Sequence, residues 1–383
     1  MNNSDVLKTT SLSLDEKCRE YILAILTEAA EQNASDILIT VGVPPTFRIN
    51  GELYPAAGRA RLTPADTKEI ALAFLTRANR PPSELNPGSE HDFSLSVPQI
   101  GRFRVNLFTQ RGSAAVSIRR IYTFLPDPEE LAIPDTVMEL SRLRQGLVLV
   151  TGPTGCGKTT TLAALIDRIN NERSCHILTL EDPIEYLHQH RKSIVNQREI
   201  GTDSDSYRVA LRAALRQTPD VILIGEMRDL ETISIALTAA ETGHLVLSTL
   251  HTIGAAKTID RIIDVFPPSQ QQQIRIQLST VLQAVVSQQL IASESRGQLA
   301  AFEIMRMNSA IRNMIRESKT PQIDGVIQMN TSSGMSTMDH SILRLYRQQL
   351  ISREKALHCA TNIEAMIRSL GTEIKKDGNG NDV

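Results

Sequence analysis

No run of about 18 apolar residues occurs in this chain of 383, so no segment reads as a membrane span. No Cys-x-x-Cys pair occurs either. The four cysteines, Cys18, Cys156, Cys175 and Cys359, stand far apart, which argues against a thiolate zinc module and fits a reducing cytosol. Neither sign of charge dominates. The formal net charge is −2, so overall charge selects neither nucleic acid nor an anionic membrane surface. Tryptophan is absent and aromatics make up 4% of residues. The opening stretch MNNSDVLKTTSLSLDEK has no apolar core and carries an acid early, so it does not read as a secretory signal. There are no tandem repeats.

What is present is an ordinary globular composition, 41% hydrophobic and 22% charged. The length suggests two or three domains of about 100–200 residues each. Ser13-Leu-Asp-Glu16 has capping-box spacing and precedes Tyr21, Ile22, Ile25, Leu26 and Ala29 at helical period. A strand at 36–40, a hairpin around Asn50-Gly51, a helix starting at Thr63-Pro64 and alternating strands at 92–97, 101–108 and 114–119 complete a small α+β domain with an antiparallel sheet. We assign it to 1–124. Leu125-Pro-Asp-Pro-Glu marks a linker over 125–134. Beyond it the pattern becomes α/β: strands at 146–151, 176–181, 221–225 and 244–250 alternate with helices at 159–170, 205–217 and 229–241, predicting a parallel sheet covered on both faces. Residues 255–365 read as mostly helical. The motor-like domain spans 135–365, and 366–383 reads as a disordered tail because its last residues hold nothing that could build a core.

The chemistry concentrates in Gly152-Pro-Thr-Gly-Cys-Gly-Lys-Thr159, which fits G-x-x-x-x-G-K-[ST] at every fixed position between an apolar strand and a helix. Glycines let backbone N–H groups close around an anion, and the helix N-terminus adds its positive end. Candidate nucleotide contacts are therefore Gly152, Pro153, Thr154, Gly155, Cys156, Gly157, Lys158, Thr159 and Thr160. Lys158 can reach the β- and γ-phosphates and Thr159 can bind Mg²⁺, so ATP and Mg²⁺ are the expected ligands. Three further strands end in polar groups where ligands of parallel sheets bind. Glu181, Asp182 and Glu185 cluster at the end of the apolar strand 176–181; such acids can coordinate Mg²⁺ through water or position a nucleophile, or else form a solvated turn closed by Pro183. Glu226 ends Val221-Ile-Leu-Ile-Gly225 and is the candidate catalytic carboxylate and metal-shell ligand. Arg228 either senses the nucleotide or pairs with Asp229. His251 ends the strand that His244 begins. That strand spans about 20 Å at about 3.3 Å per residue, too far for the two to share a metal.

In the first domain, five arginines and no acid lie between Gly101 and Arg120. Arg102 and Arg104 share one strand face. Three readings stand for this basic strip: a nucleic-acid face, which no aromatic stacking set accompanies; a solvated face; or arginines given to a neighbouring subunit's γ-phosphate, where a planar, permanently charged fork suits phosphate oxygens.

Together, GPTGCGKTTTLAAL, LEDPIEY, GEMRDLET, TGHLVLSTLHT, GRFRVN and Ala310-Ile-Arg-Asn-Met-Ile-Arg-Glu317 resemble, over about residues 15–365, the type IV pilus retraction (twitching motility) ATPases of the PilT/PilU family, in the secretion ATPase superfamily. The resemblance implies a RecA-like P-loop NTPase motor domain preceded by a PAS-like domain. It implies a homo-hexamer that hydrolyses ATP between subunits, with Glu226 as catalytic glutamate and Glu185 and His251 in family boxes. Arg102, Arg104 and Arg119 are the candidates facing a neighbour's site. It further implies a cytoplasmic position docked at the inner-membrane base of the pilus machine, the platform protein as partner, a paralogous retraction ATPase as a second one, and no nucleic-acid partner. Pilus-assembly relatives usually carry a four-cysteine zinc module, and its absence favours retraction. Cys156 departs from the commoner serine. The Thr337–Leu370 segment and IGTDSDSY look more like PilU, whereas GEMRDLET and the 310–317 box look more like PilT.

Overall fold

The computed structural model describes residues 18–49, 51–86, 88–121, 127–293 and 297–371. The capping box at Ser13–Glu16, the turn residue Asn50, and linker positions 125 and 126 lie outside the described residues. The chain divides into two compact units, one up to Phe124 and one from Leu125.

The first unit begins with helix α1 (18–31) and strands β1 (Asp36–Ile39), β2 (Thr46–Ile49) and β3 (Glu52–Pro55). Helix α2 (Pro64–Arg77) follows. It starts where the Thr63 side chain accepts from the Asp66 N–H while the Asp66 carboxylate accepts from the Thr63 N–H, the reciprocal arrangement that satisfies two orphan donors. Strands β4 (His91–Val97), β5 (Gly101–Gln110) and β6 (Ser113–Ile121) complete an antiparallel sheet of order β3-β2-β1-β6-β5-β4. Along β5, Phe103, Val105 and Leu107 are fully buried while Arg102, Arg104 and Asn106 alternate with them. Period-2 alternation thus puts the arginines on the face away from the core.

The second unit carries α3 (Asp135–Met138), β7 (Gly146–Thr151), α4 (Lys158–Glu172), β8 (His176–Glu181), β9 (Ile194–Glu199), α5 (Tyr207–Ala214), β10 (Val221–Ile224), α6 (Leu230–Glu241) and β11 (Leu245–Leu250). Then come α7 (Ala255–Asp264), α8 (Pro268–Val281), β12 (Leu282–Ala292), β13 (Gln298–Arg306), α9 (Ser309–Arg316), α10 (Ile323–Met329), α11 (Met338–Arg347), α12 (Arg353–Cys359) and α13 (Ile363–Gly371). The sheet order is β13-β12-β7-β11-β10-β8-β9, with every pair parallel except β12–β13. Strands β7, β10 and β11 are buried at every residue. Apolar clusters line both faces, which is why these strands read as continuous hydrophobic runs.

Three expectations need correction. Residues 282–292 and 298–306 are strands, not helix. Val285 and Val286 belong to a run buried on both faces beside β7, and a short apolar run of this kind has no period that separates strand from helix. The sheet is accordingly mixed, with antiparallel β13 at its edge. The packed chain also passes position 365. In α13, Met366 and Leu370, one turn apart, are buried against Ile342 and Leu345, so 366–371 is not tail; 372–383 lies outside the described residues.

Strand β9 was not expected from the sequence, and its Ile194 and Asn196 are exposed. Helix α9 carries the 310–317 box. Ile311 and Ile315 are fully buried, and Arg312 donates to the Thr280 carbonyl at 3.0 Å, closing off the last turn of α8.

Asp220 opens β10 by pinning it to β8. Its carboxylate accepts the His176 N–H at 2.8 Å, and its own N–H donates to the His176 carbonyl at 2.9 Å. Asp220→Ala is expected to lower unfolding free energy by about 1 kcal/mol with no change in nucleotide affinity. A denaturant titration beside a binding isotherm checks both parts.

Candidate nucleotide-binding and hydrolysis site

Parallel strands release their chains at one edge, and the polar groups of this chain gather there. After β7 the backbone enters 152–157, where Gly152, Gly155 and Gly157 have φ of 139°, 78° and 87°. At Gly152 the need for glycine is also steric: a Cβ there would lie 2.2 Å from the Gln288 carbonyl oxygen and 2.7 Å from Cys156 Sγ. The Lys158 amine is buried and donates to the carbonyls of Gly152 at 3.0 Å and Pro153 at 2.9 Å.

The loop and its neighbours enclose a cleft of about 300 Å³ lined by Thr154, Gly155, Lys158, Thr159, Glu181, Asp182, Glu185, Tyr207, Glu226, Arg228 and His251, among others. Of the remaining loop residues, Gly152 and Cys156 are buried behind it. Burial pushes the Cys156 thiol up, against the pull of Lys158. Thr160 turns to the Tyr186 hydroxyl, 3.0 Å away.

Glu226 is held from both sides. Arg228 lies 2.8 Å from its Oε2 and His251 Nε2 lies 3.2 Å from its Oε1. The other His251 nitrogen, Nδ1, is 3.4 Å from Thr154 Oγ1, so one imidazole bridges the carboxylate and the loop. Thr249 donates to the Gly225 carbonyl at 2.6 Å and Met227 N–H donates to Thr249 at 3.2 Å, which keeps the chain after β10 tied to β11. Partial burial alone would raise the Glu226 carboxyl; the hydrogen bond from Arg228 and the nearby His251 outweigh it and hold the group below its ordinary value. Arg228 thus pairs with Glu226, and Asp229 is occupied as the α6 cap, accepting from Thr232 N–H at 2.9 Å. His244 sits at the far end of β11, with Nδ1 2.9 Å from the Ala239 carbonyl.

Glu181 differs from Glu226. It is 7% exposed, it accepts from Thr179 at 2.6 Å and from Gln197 at 3.2 Å, and burial pushes its carboxyl up to about 7. An acid whose charge is this costly suits a cation that arrives with the nucleotide. Among the described residues no three His, Cys, Asp or Glu converge as a metal site by themselves. The Thr159 hydroxyl and the Glu181 carboxylate, both lining the cleft, are oxygen donors of the kind magnesium takes.

Tyr207 was not foreseen. Its hydroxyl approaches Gly225 closely enough that a Cβ there would lie 2.7 Å away. Burial first, then Asp182, Glu181 and Glu226, push its ionisation up, so it stays a neutral donor. The only signal in the sequence was a tyrosine opening a helix after Ser206. Arg102, Arg104 and Arg119 belong to the first unit. Arg104 and Arg119 stand opposite each other across β5 and β6. Arg119 donates to Asp36 at 2.8 Å, and Arg104 lies 3.6 Å from Asp92.

Known proteins are similar to this chain in sequence and in fold. Residues 13–356 match the Type II/IV secretion system protein family. The chain belongs to that family, and within it to the pilus retraction ATPases. It is 47% identical over 336 residues to the "Type IV pilus retractation ATPase PilT" of Pseudomonas aeruginosa, covering 88% of this chain and 96% of that one. It is 40% identical over 357 residues to the "Type IV pilus ATPase PilU" of the same organism, covering 92% of each. Among solved structures, that of the pilus retraction motor PilT with bound ADP superposes with a TM-score of 0.83 at 47% identity, covering 91% of this chain and 99% of that one. The α/β fold and the nucleotide-binding character of the family hold for this chain. No helix among the described residues is long and apolar enough to cross a membrane.

The Glu181 shift sets a pH window. A carboxyl raised from 4.5 to about 7 on folding contributes stability that is fully present below pH 4.5 and is lost as pH rises through about 7, since the folded state there binds the extra proton. Ligand-free Glu181→Gln is expected to lose less melting temperature than the parent between pH 5 and pH 8, as measured by thermal unfolding across that series.

Proposed function

We propose that this chain hydrolyses ATP to drive retraction of type IV pili, working as a homo-hexamer on the inner-membrane platform protein, with a paralogous retraction ATPase as a second partner. The observation that carries the reading is Glu226, clasped by Arg228 and His251 and facing the same cleft as the Lys158 amine. Membership of the retraction family adds the direction of work.

The residues divide the task. Lys158 leaves the Gly152 and Pro153 carbonyls for the β- and γ-phosphate oxygens, and the loop N–H groups take the rest of the anion. Thr159, Glu181 and Glu226 are the residues that would hold Mg²⁺ when it arrives with the nucleotide. When bound, that ion neutralises charge on the phosphates. Glu226 accepts a hydrogen bond from the attacking water and aims it at the γ-phosphorus. Because Arg228 keeps this carboxylate ionised and weakly basic, it orients the water and does not strip its proton early. Glu185, at the solvent side of the cleft, takes water-mediated contacts. His251 carries the state of Glu226 to Thr154 and the loop. Arg102, Arg104 and Arg119 supply positive charge to the γ-phosphate of a neighbouring subunit, and Asp36 and Asp92 hold two of them until then. The segment 125–134 serves as the hinge between the domains.

Purified Glu226→Gln is expected to bind nucleotide within about threefold of the parent while turnover falls about 10²–10³-fold, the range for losing one preorganised polar contact to the transition state. Lys158→Ala is expected to lose detectable nucleotide binding. Parent-level turnover in either variant refutes the assignment. In cells, deletion is expected to leave surface pili that no longer retract; loss of the pili themselves would indicate an assembly ATPase.

A further inference from the structure

The phosphate-binding loop is not held by its own glycines alone. Strand β12 runs parallel to β7 on the side away from β11, and Ser287 stands in register with Thr151, the last residue before the loop. The next residue, Gln288, is 2% exposed. Its carboxamide reaches into the back of the loop. Nε2 donates to the Cys156 carbonyl at 2.5 Å, and Oε1 accepts from the Thr161 hydroxyl at 2.9 Å. Its backbone carbonyl fills the space that a side chain at Gly152 would need, and Nε2 would lie 3.1 Å from a Cβ at Gly157. One residue therefore touches both ends of the loop and the first turn of α4.

The orientation of this amide is fixed by its partners. A carbonyl can only accept, so Nε2 must face Cys156, and the Thr161 hydroxyl then completes the pair as donor. The consequence follows from peptide planarity. In a trans peptide the C=O and the following N–H point in opposite directions. Holding the Cys156 carbonyl toward β12 turns the Gly157 N–H away from β12. That N–H is one of the groups at the start of α4 that an anion needs.

We propose that Gln288 is a positioning residue for nucleotide binding: by fixing the peptide between Cys156 and Gly157, it keeps the loop amides aimed for phosphate. The inference rests on reading 152–159 as the phosphate cradle. The chemistry it serves is recognition of a nucleoside di- or triphosphate, and Gln288 does not touch the reacting atoms.

The test uses the full chain in its assembled form, with fluorescent ADP binding and steady-state ATP hydrolysis. Gln288→Met keeps the volume and removes both hydrogen bonds. It is expected to raise the ADP dissociation constant and KM about tenfold or more, with kcat within about threefold. Val286→Ala, two residues earlier and fully buried, is the packing control; it is expected to lower the melting temperature with KM unchanged. Thr161→Val removes the same carboxamide's other partner and is expected to move KM in the same direction by a smaller factor. It stands in if Gln288→Met does not fold. A KM within twofold of the parent in folded Gln288→Met, or in Thr161→Val when that variant fails to fold, overturns the proposal. A KM shift in Val286→Ala as large as in the Gln288 variant also overturns it, because packing alone would then explain the effect. Lys158→Ala separates the two levels: if it still binds ADP, the cradle reading itself falls. If it loses ADP while Gln288→Met binds normally, only the role of Gln288 falls.

Discussion

Strands that run in one direction must all let go of the chain at one edge of the sheet. In this molecule that edge receives the turn after β7, the acid that ends β8, the Gly225-Glu226 step after β10 and His251 after β11. Nothing else about the cleft would hold without this constraint. Residues between 97 and 26 positions apart in the chain meet as hydrogen-bond partners here, Thr154 with His251 and Thr160 with Tyr186. The helices on both faces keep the strands dry, and the dry strands keep the edge rigid.

Two glutamates on that edge are driven in opposite directions by their surroundings. Glu181 is sunk among uncharged donors, so burial dominates and the proton is retained toward neutral pH. Glu226 is nearer solvent and gripped by a guanidinium, so it stays charged. The pair shows how one sheet edge offers both a carboxyl that waits for a cation and a carboxylate ready for a water molecule.

The loop, its flanking strand and helix, and the acids at strand ends were legible because each is a local pattern: spacing, an apolar run, then a polar break. The α4 and α6 helices and strands β7, β8, β10 and β11 follow from the same signals, to within a residue or two. What escaped had no local signature. Strands β12 and β13 look like any apolar run until β7 and each other are there to pair with. Strand β9 has only Val195 and Glu199 fully buried, and helix α13 shows its purpose only once Ile342 is beneath it. Gln288 and Tyr207 matter through contacts with the loop and with Gly225, more than a hundred and fewer than twenty residues away, respectively. On sequence grounds Arg228 senses the nucleotide or pairs with Asp229; in the structure Asp229 is occupied as the α6 cap and Arg228 pairs with Glu226.

The Lys158 ammonium is already satisfied by two carbonyls of its own loop. An approaching anion gains only the difference between its own grip on that ammonium and the grip it displaces. A polyphosphate with a metal and a sugar attached brings enough additional contacts to make the swap worthwhile. The resting loop thus keeps its ammonium neutralised by its own backbone dipoles, and binding is an exchange of partners at one fixed charge.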